Sequence, residues 1–324
     1  MTDQDTARYI DPDMPDAWDR MARIMAELGH DDGRTDLTPP EMRARVEAER
    51  AWWNADRPEL ARIVNTQMPG PNGPVPVRLL YPNTLDPVPV VVYLHGGGWA
   101  VGSLETHGRA MHYLALQTGA CVVAVDYSLA PEVRFPGALE EIVAVTRHCR
   151  DHASEYRFCP ARIAIAGDSA GGNLAIAAAL KLRETDPDLL KALGLIYPVA
   201  GADFETESYR TLSQYGLTRD GMLQYFNLYL RGPEDYENPL AVPMKADLAN
   251  LPTTYVYAAG LDVLRDDSIG LDAKLRAAGV PGHLEIFEGV PHAFLSLTRT
   301  VAASHKLIRA CARDLSKTLD KVLL

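Results

Sequence analysis

The chain has 324 residues, of which 47% are apolar and 23% are charged. These values are ordinary for a globular protein and exclude a disordered, collagen-like or coiled-coil chain. At about 150 residues per domain, the length predicts one large domain or two small ones. The net charge is -11, with 32 basic against 43 acidic residues. Because an acidic surface repels phosphate backbones, we expect no nucleic-acid partner.

Cysteine spacing and apolar runs bear on the cellular compartment. The four cysteines lie far apart and form no C-x-x-C pair; they are Cys121, Cys149, Cys159 and Cys311. This spacing predicts neither a metal site nor a disulfide framework, and it favours the reduced thiols of a cytoplasmic protein. The acidic N-terminus lacks the apolar core of a signal peptide. The longest strongly apolar run, Val88–Leu94, is too short to cross a membrane, so we expect no membrane partner.

Residues 1–60 show helical spacing of apolar side chains and no strand pattern, which predicts N-terminal helices that form part of a cap. The spacing is seen in Trp18, Met21, Ile24, Met25 and Leu28, then in Met42 and Val46, and further on in Trp52 and Trp53. A second helix is predicted to begin at Thr38-Pro39-Pro40-Glu41, because proline is tolerated in the first helical turn.

Residues 61–324 alternate short β-rich runs with helical stretches, which predicts an α/β fold with a parallel sheet buried on both faces. The β-rich runs are 75–81, 88–94, 121–125, 163–166, 193–197, 254–258 and a weaker 283–287. The helical stretches are about 104–118, 137–153, 170–184, 266–278 and 301–321. The hairpin-like region 63–81 predicts an antiparallel edge. The long interruption between Tyr197 and Thr254 is helical over Leu217–Leu230 and predicts a cap insertion at about 200–235.

The strongest chemical signal is G-x-S-x-G at Gly167, Ser169 and Gly171, between a predicted strand and a predicted helix. A sharp turn in this context lifts the serine hydroxyl to the carboxyl edge of the sheet. Gly167 and Gly171 have no side chains, so neighbouring backbone can pack closely against the turn. Ser169 is therefore the candidate nucleophile, and a glycine-rich turn that binds a phosphate, or nothing, is the alternative.

A second signal is the run H-G-G-G-W at 95–99, directly after a predicted strand. The unshielded N–H groups of such a run can point at one oxygen, as an oxyanion hole for acyl transfer requires. The predicted donors are the N–H groups of Gly97, Gly98 and Ala170, with Gly96 left open as an alternative. His95 is interpreted as a structural residue.

A nucleophilic serine needs a base and an acid that orients the base. His292 is the candidate base, because it lies on a loop between the last strand and the last helix. Asp262 follows a predicted strand and is the candidate acid. The alternatives, Asp266 and Asp267, are more typical of acids that stabilise a helix N-terminus. The chain order Ser169, Asp262, His292 is the order found in α/β-hydrolases.

Together these motifs resemble the hormone-sensitive-lipase-like branch of the α/β-hydrolase family, the bacterial family IV esterases. The resemblance covers about 60–320, with matches at 95–99, 126–132, 135–139, 167–173 and around 262 and 292. It implies a mostly parallel, eight-stranded sheet flanked by helices, a helical cap, hydrolysis of carboxylic esters, and no cofactor or metal. The chain departs from the family in having Ser128 in place of an arginine, Val263 in place of a proline and Ala293 in place of a glycine.

The resemblance implies a carboxylesterase. The candidate triad predicts a serine mechanism through an acyl-enzyme intermediate, and a compact cap favours short- to medium-chain acyl esters. The alternatives are a catalytically silent ligand receptor on the same fold, and an amidase or lactonase. The family also implies a homodimer built from about 283–321. Substrate contacts are predicted at Trp99, Asp168, Tyr197 and Phe204, with Trp18, Trp52 and Trp53 as further candidates for the pocket wall.

Overall fold

The structure is a computed structural model that describes residues 9–34 and 36–320. Its centre is an eight-stranded sheet with the order β1-β2-β4-β3-β5-β6-β7-β8. The strands β1 and β2 form an antiparallel hairpin, β2 pairs antiparallel with β4, and all other pairs are parallel. The strands are β1 Arg62–Gly70, β2 Gly73–Tyr81, β3 Val88–Leu94, β4 Cys121–Val125, β5 Phe158–Asp168, β6 Leu190–Ile196, β7 Thr253–Leu261 and β8 Gly282–Pro291.

Helices cover both faces of this sheet. One face packs against α3 and α10, together with α1, and the other against α4, α6 and α9. The helices are α1 Met14–Leu28, α2 Pro39–Ala51, α3 Gly108–Thr118, α4 Gly137–Asp151, α5 Ala153–Tyr156, α6 Ala170–Thr185, α7 Glu207–Leu212, α8 Arg219–Tyr229, α9 Arg265–Ala277 and α10 Ala302–Asp320. Every residue of β3 and β4 is buried, as expected for parallel strands between two helical layers.

The predicted architecture is confirmed, with shifted boundaries. The strand β5 begins at Phe158 and β6 at Leu190, both before the apolar runs that predicted them. The helix α3 begins at Gly108, because the residues just before it form turns. In the part of the chain that the structure describes, the stretch from β6 to β7 holds α7, α8 and short 3₁₀ turns but no strand.

Two helices, α1 and α2, occur in the N-terminal segment, where apolar spacing predicted helices. In α1 the buried side chains are Met14, Ala17 and Ile24. The helix α2 begins with a capping box in which Glu41 accepts from the Thr38 backbone N–H at 2.8 Å and the Thr38 side chain accepts from the N–H of residue 41.

All four cysteines are free thiols. Within 9–34 and 36–320, no cluster of metal-ligating side chains occurs, and every helix is too short or too polar to cross a lipid bilayer.

Candidate active site

Ser169 lies in the turn between β5 and α6. Its backbone adopts φ 55° and ψ −119°, a region that is costly for any residue other than glycine. A side chain at Gly171 would bring Cβ to 2.6 Å from the carbonyl carbon of Leu94 and 2.8 Å from the carbonyl oxygen of His95. Only glycine therefore lets the serine turn pack directly on the backbone that follows β3. The strained turn holds the hydroxyl at the carboxyl edge of the sheet.

His292 and Asp262 meet Ser169 at this edge. The Nε2 atom of His292 lies 2.9 Å from the Ser169 Oγ, and its Nδ1 lies 2.6 Å from Oδ2 of Asp262. Asp262 follows β7 and His292 follows β8, so the three side chains stand at the ends of three parallel strands. The Asp262 carboxylate is fully buried, and its Oδ1 accepts from the N–H of Leu264 at 3.0 Å. Because the Asp262 carboxylate accepts the hydrogen bond from Nδ1–H of His292, the Nε2 atom of His292 is left free to accept the serine proton.

The alternative acids serve other contacts. Asp266 accepts from the backbone N–H of Ser208 at 2.8 Å. Asp267 accepts from the N–H groups of Ala200 and Gly201 at 3.1 and 2.7 Å, and burial raises the pKa of its carboxyl to about 6. Both carboxylates attach the chain after β6 to the first turn of α9, so Asp262 is the acid that reaches His292.

The glycine run at 95–99 follows β3, and its backbone makes a turn beside Ser169. Gly97 and Gly98 adopt φ 129° and 56°, in the region that favours glycine. The N–H of Gly96 donates to Oδ1 of Asp168 at 3.0 Å and is therefore occupied. Among the described residues, no acceptor pairs with the N–H groups of Gly97, Gly98 or Ala170. These three remain available to a developing oxyanion, whereas Gly96 does not.

Asp168 fixes the glycine run from behind. Its Oδ1 also accepts from the Tyr93 hydroxyl at 2.7 Å, and its Oδ2 lies 3.4 Å from Nε2 of His107. Burial raises the pKa of this carboxyl, but His107 and the Tyr93 hydrogen bond outweigh burial and hold the pKa below its ordinary value. Asp168, which is predicted to contact substrate, lines the cavity, but protein donors already occupy its oxygens. The contacts indicate a residue that positions Gly96.

His95 is a buried structural residue. Its Nδ1 lies 2.9 Å from the carbonyl oxygen of Gly96, and its ring stacks on Tyr127 at 4.5 Å. Burial, with a smaller contribution from His107, lowers the pKa of His95 to about 4. The imidazole is therefore neutral at neutral pH and supports the backbone of the glycine run.

The loop around Ser128 is supported without the arginine that the family has there. The Ser128 N–H and hydroxyl both donate to the Glu141 carboxylate, at 2.8 and 2.6 Å. Arg43 of α2 donates to the carbonyl oxygens of Ala100 and Ala130 at 2.9 and 2.8 Å. Arg43 of α2 thus holds the loop around Ser128 against the turn after the glycine run.

A cavity of about 170 Å³ opens over Ser169. Its walls come from the glycine run, from α2, from the segment containing α8 and from the residues around His292. The lining side chains include Val46, Glu49, Arg50, His107, Asp168, Tyr197, Leu217, Met222, Tyr225 and Ser296. Tyr197, which is predicted to contact substrate, lines this cavity. The residues from α2 and from the segment 217–225 were missed, although Met222 and Tyr225 have helical spacing.

The structure corrects the predicted contacts of Trp99 and Phe204. Trp99 is only 1% exposed and stacks on Tyr229 with ring centroids 4.3 Å apart. Its positive φ of 59° turns the chain at the end of the glycine run, and the indole packs in the core. Phe204 packs edge-on against Tyr209 and Phe226. Neither residue lines the cavity, and neither do Trp18, Trp52 and Trp53.

Comparison with known proteins gives consistent matches. The family model for the alpha/beta hydrolase fold matches 91–296. An acetyl esterase of Salmonella choleraesuis is 38% identical over 270 residues, which are 82% of this chain and 83% of that protein. A solved esterase of Pyrobaculum calidifontis is 33% identical with a TM-score of 0.85, covering 88% of this chain and 94% of that one. A thermostable carboxylesterase from a metagenomic library is 33% identical with a TM-score of 0.86, covering 88% and 99%. The chain therefore belongs to the hormone-sensitive-lipase-like, family IV branch of the α/β-hydrolase fold family, and it is a carboxylic ester hydrolase.

Proposed function

We propose that this enzyme hydrolyses short-chain carboxylic esters with Ser169 as nucleophile, His292 as base and Asp262 as the acid that orients the base. The observation that carries the proposal is the continuous hydrogen-bond chain, with 2.9 Å between Ser169 Oγ and His292 Nε2 and 2.6 Å between His292 Nδ1 and Asp262. Both distances are within the range in which a base can accept a proton from a nucleophile.

In the first step Ser169 Oγ attacks the ester carbonyl while its proton moves to Nε2 of His292. Asp262 stabilises the imidazolium that forms, and the carbonyl oxygen becomes an oxyanion. The N–H groups of Gly97, Gly98 and Ala170 donate to this oxyanion. Each such donor contributes about 3 kcal/mol to stabilising the transition state.

The tetrahedral intermediate then collapses to an acyl-serine. The bond from the carbonyl carbon to the alkoxy oxygen breaks, and the imidazolium gives its proton to the leaving alcohol. A water molecule repeats the sequence: His292 accepts its proton, the hydroxyl adds to the acyl carbon, and the proton returns to Ser169 Oγ. One ester and one water yield one acid and one alcohol.

The size of the cavity supports a short acyl group. Its volume of about 170 Å³ lies below the roughly 300–1,000 Å³ of sites for larger ligands. The matched Salmonella protein is named an acetyl esterase, which also supports a short acyl chain. We propose that the N-terminal helices and the segment containing α8 form the cap, because α2 and the segment containing α8 supply side chains to the cavity wall.

The test is hydrolysis of a chromogenic acetate ester by wild type, Ser169→Ala and the control Ser154→Ala. Ser154 is exposed on α5, away from the cavity. Loss of the nucleophile should lower kcat by about 10⁴ or more, and wild type should show a burst of alcohol release if deacylation is slow. Activity of Ser169→Ala within about tenfold of the control would reject the assignment. Amide and lactone analogues with the same acyl group distinguish an esterase from an amidase or lactonase.

Assembly and location remain further proposals. We propose a cytoplasmic homodimer in which 283–321 forms the contact, because β8 is an edge strand that offers unpaired backbone groups. Light scattering at micromolar concentration should give twice the mass of the 35.5 kDa chain, and a monomer under these conditions would remove the dimer from the proposal.

A further inference from the structure

Arg50 brings a cation from α2 to the wall of the catalytic cavity. One guanidinium N–H donates to the Ser296 hydroxyl, and that hydroxyl donates to the carbonyl oxygen of Ala293 at 2.8 Å. The arginine is therefore anchored to the segment that follows His292. No other acceptor pairs with the guanidinium in 9–34 and 36–320, and no carboxylate lies within ion-pair distance of it.

The neighbouring arginines of α2 differ in this respect. Arg43 forms an ion pair with Glu132 at 2.5 Å, and Arg45 forms one with Asp32 at 2.9 Å. Both of these pairs lie outside the cavity. Arg50 is the arginine of this helix that lines the cavity, and its other guanidinium donors have no partner among the described residues.

The acidic groups around the cavity are already engaged. Glu49 lies 2.9 Å from Nδ1 of His30, and Asp168 accepts from Tyr93 and Gly96. The remaining titratable groups that line the cavity bring no further carboxylate, and they are His107, Tyr197, Tyr225 and His292.

Partial burial makes an unpaired cation less favourable, and an anionic ligand that accepts from its free donors would offset that cost. Arginine stays charged even where burial disfavours its charge, and its planar fork matches a carboxylate with two parallel hydrogen bonds. On the basis of the proposed function, we propose that Arg50 binds a free carboxylate on the substrate. The preferred substrates are then short esters that carry a second, ionised acid group: half-esters of dicarboxylic acids or acylated hydroxy acids.

The test compares two pairs of esters that differ only in charge. In one pair the carboxylate is on the alcohol side, in 4-acetoxybenzoate against 4-acetoxybenzamide. In the other it is on the acyl side, in monoethyl succinate against ethyl succinamate. Wild type should favour the anion of at least one pair in kcat/KM. Arg50→Gln should lower kcat/KM for that anion by about 10- to 100-fold, since hydrogen bonds to charged groups contribute about 1.5–3 kcal/mol. The kcat/KM of Arg50→Gln for the neutral amide compound of the same pair should change less than about threefold.

Two further variants separate binding from folding. Arg45→Gln removes a cation from the same helix outside the cavity and should leave the anion-to-amide ratio unchanged. Arg50→Lys keeps the charge and should retain part of the anion preference while losing the two-point contact. Competitive inhibition of wild type by succinate, but not by succinamide, supports the same site without a substitution.

The outcomes distinguish this inference from the proposed function. An equal loss on anion and amide in Arg50→Gln would show that Arg50 only positions the Ser296 segment, which overturns the inference. Wild type could also cleave the ester bonds of the two neutral compounds, 4-acetoxybenzamide and ethyl succinamate, as efficiently as those of the two anions. That result would overturn the inference, while the ester hydrolase mechanism would stand. Failure of wild type on all four esters, or full activity in Ser169→Ala, would overturn the proposed function itself.

Discussion

Gly98→Ala tests whether the glycine run acts through its backbone geometry. At φ 56° an alanine costs about 1–2 kcal/mol. Its Cβ would also overlap the ring of Tyr225, and even the ring atom Cδ2 would lie only 2.6 Å away, where ordinary contact begins near 3.4 Å. Because the ring atoms Cδ1 and Cγ would lie closer still, the loop or the ring must move by more than 0.8 Å. A displacement near 1 Å at a catalytic group typically lowers the rate about 100-fold, and loss of one oxyanion donor lowers it by a similar factor.

The assay is kcat/KM on a chromogenic acetate ester together with the free energy of unfolding. Gly119→Ala is the matched control, because Gly119 has φ 69° but no atom closer than 4.0 Å to its Cβ position and lies outside the cavity. Gly119→Ala should lose about 1–2 kcal/mol of stability. Gly98→Ala should lose at least as much, because its Cβ also overlaps the Tyr225 ring. Only Gly98→Ala should lose activity, by about 100-fold.

A second background identifies the cause of that loss. In Tyr225→Ala the ring is gone, so adding Gly98→Ala should cost less than about tenfold in kcat/KM. A 100-fold loss in both backgrounds would assign the effect to backbone strain. Activity of Gly98→Ala within about threefold of wild type would refute the assignment of this loop to the oxyanion hole.

Two further predictions concern the acid of the site and a buried histidine. Asp262→Asn should lower kcat by about 10⁴ with an unchanged far-UV circular dichroism spectrum, because an amide no longer holds His292 in the required tautomer; a loss below about tenfold would contradict the role of Asp262. The pKa of His95 is about 4 in the fold against 6.5 in an unfolded chain, so acid favours unfolding, and this residue should destabilise the protein by about 2 kcal/mol between pH 7 and 5. Asp267 opposes this trend. Its pKa is raised to about 6 in the fold, so its protonated carboxyl favours the folded state, and this stability is lost as pH rises through that value. The measurement is therefore the difference between wild type and His95→Gln in denaturant unfolding at both pH values, and identical pH dependence in the two proteins would contradict the prediction.

The three groups of the proposed triad were predictable because each follows a parallel strand. Carboxyl ends of parallel strands meet at one edge of a sheet, so the sequence alone predicts that Ser169, Asp262 and His292 lie together. The choice between Gly96 and its neighbours was not predictable. It depends on Asp168, which lies 72 residues further along the chain and occupies the Gly96 N–H.

The cavity wall was the part that sequence reasoning described least well. Trp99 and Phe204 are aromatic and close in sequence to site segments. The backbone turn at Trp99 buries its indole in the core, and neighbouring rings hold the partly buried Phe204 against the core. Arg50 gave no signal, because an arginine on a polar helix is ordinarily solvated. Which residues of α2 face the cavity depends on how the helix docks, and helical periodicity alone does not specify the docking.

The backbone contact between Gly171 and the carbonyl groups of Leu94 and His95 also bears on how substrate reaches the site. The serine turn and the glycine run share a tightly packed main chain, so neither can shift without the other, and the reacting geometry stays fixed through each cycle. We therefore expect access to be controlled by the side chains of α2 and α8 that line the cavity. Evolution toward bulkier or more polar substrates can therefore change those helices while the centre of the enzyme is left untouched.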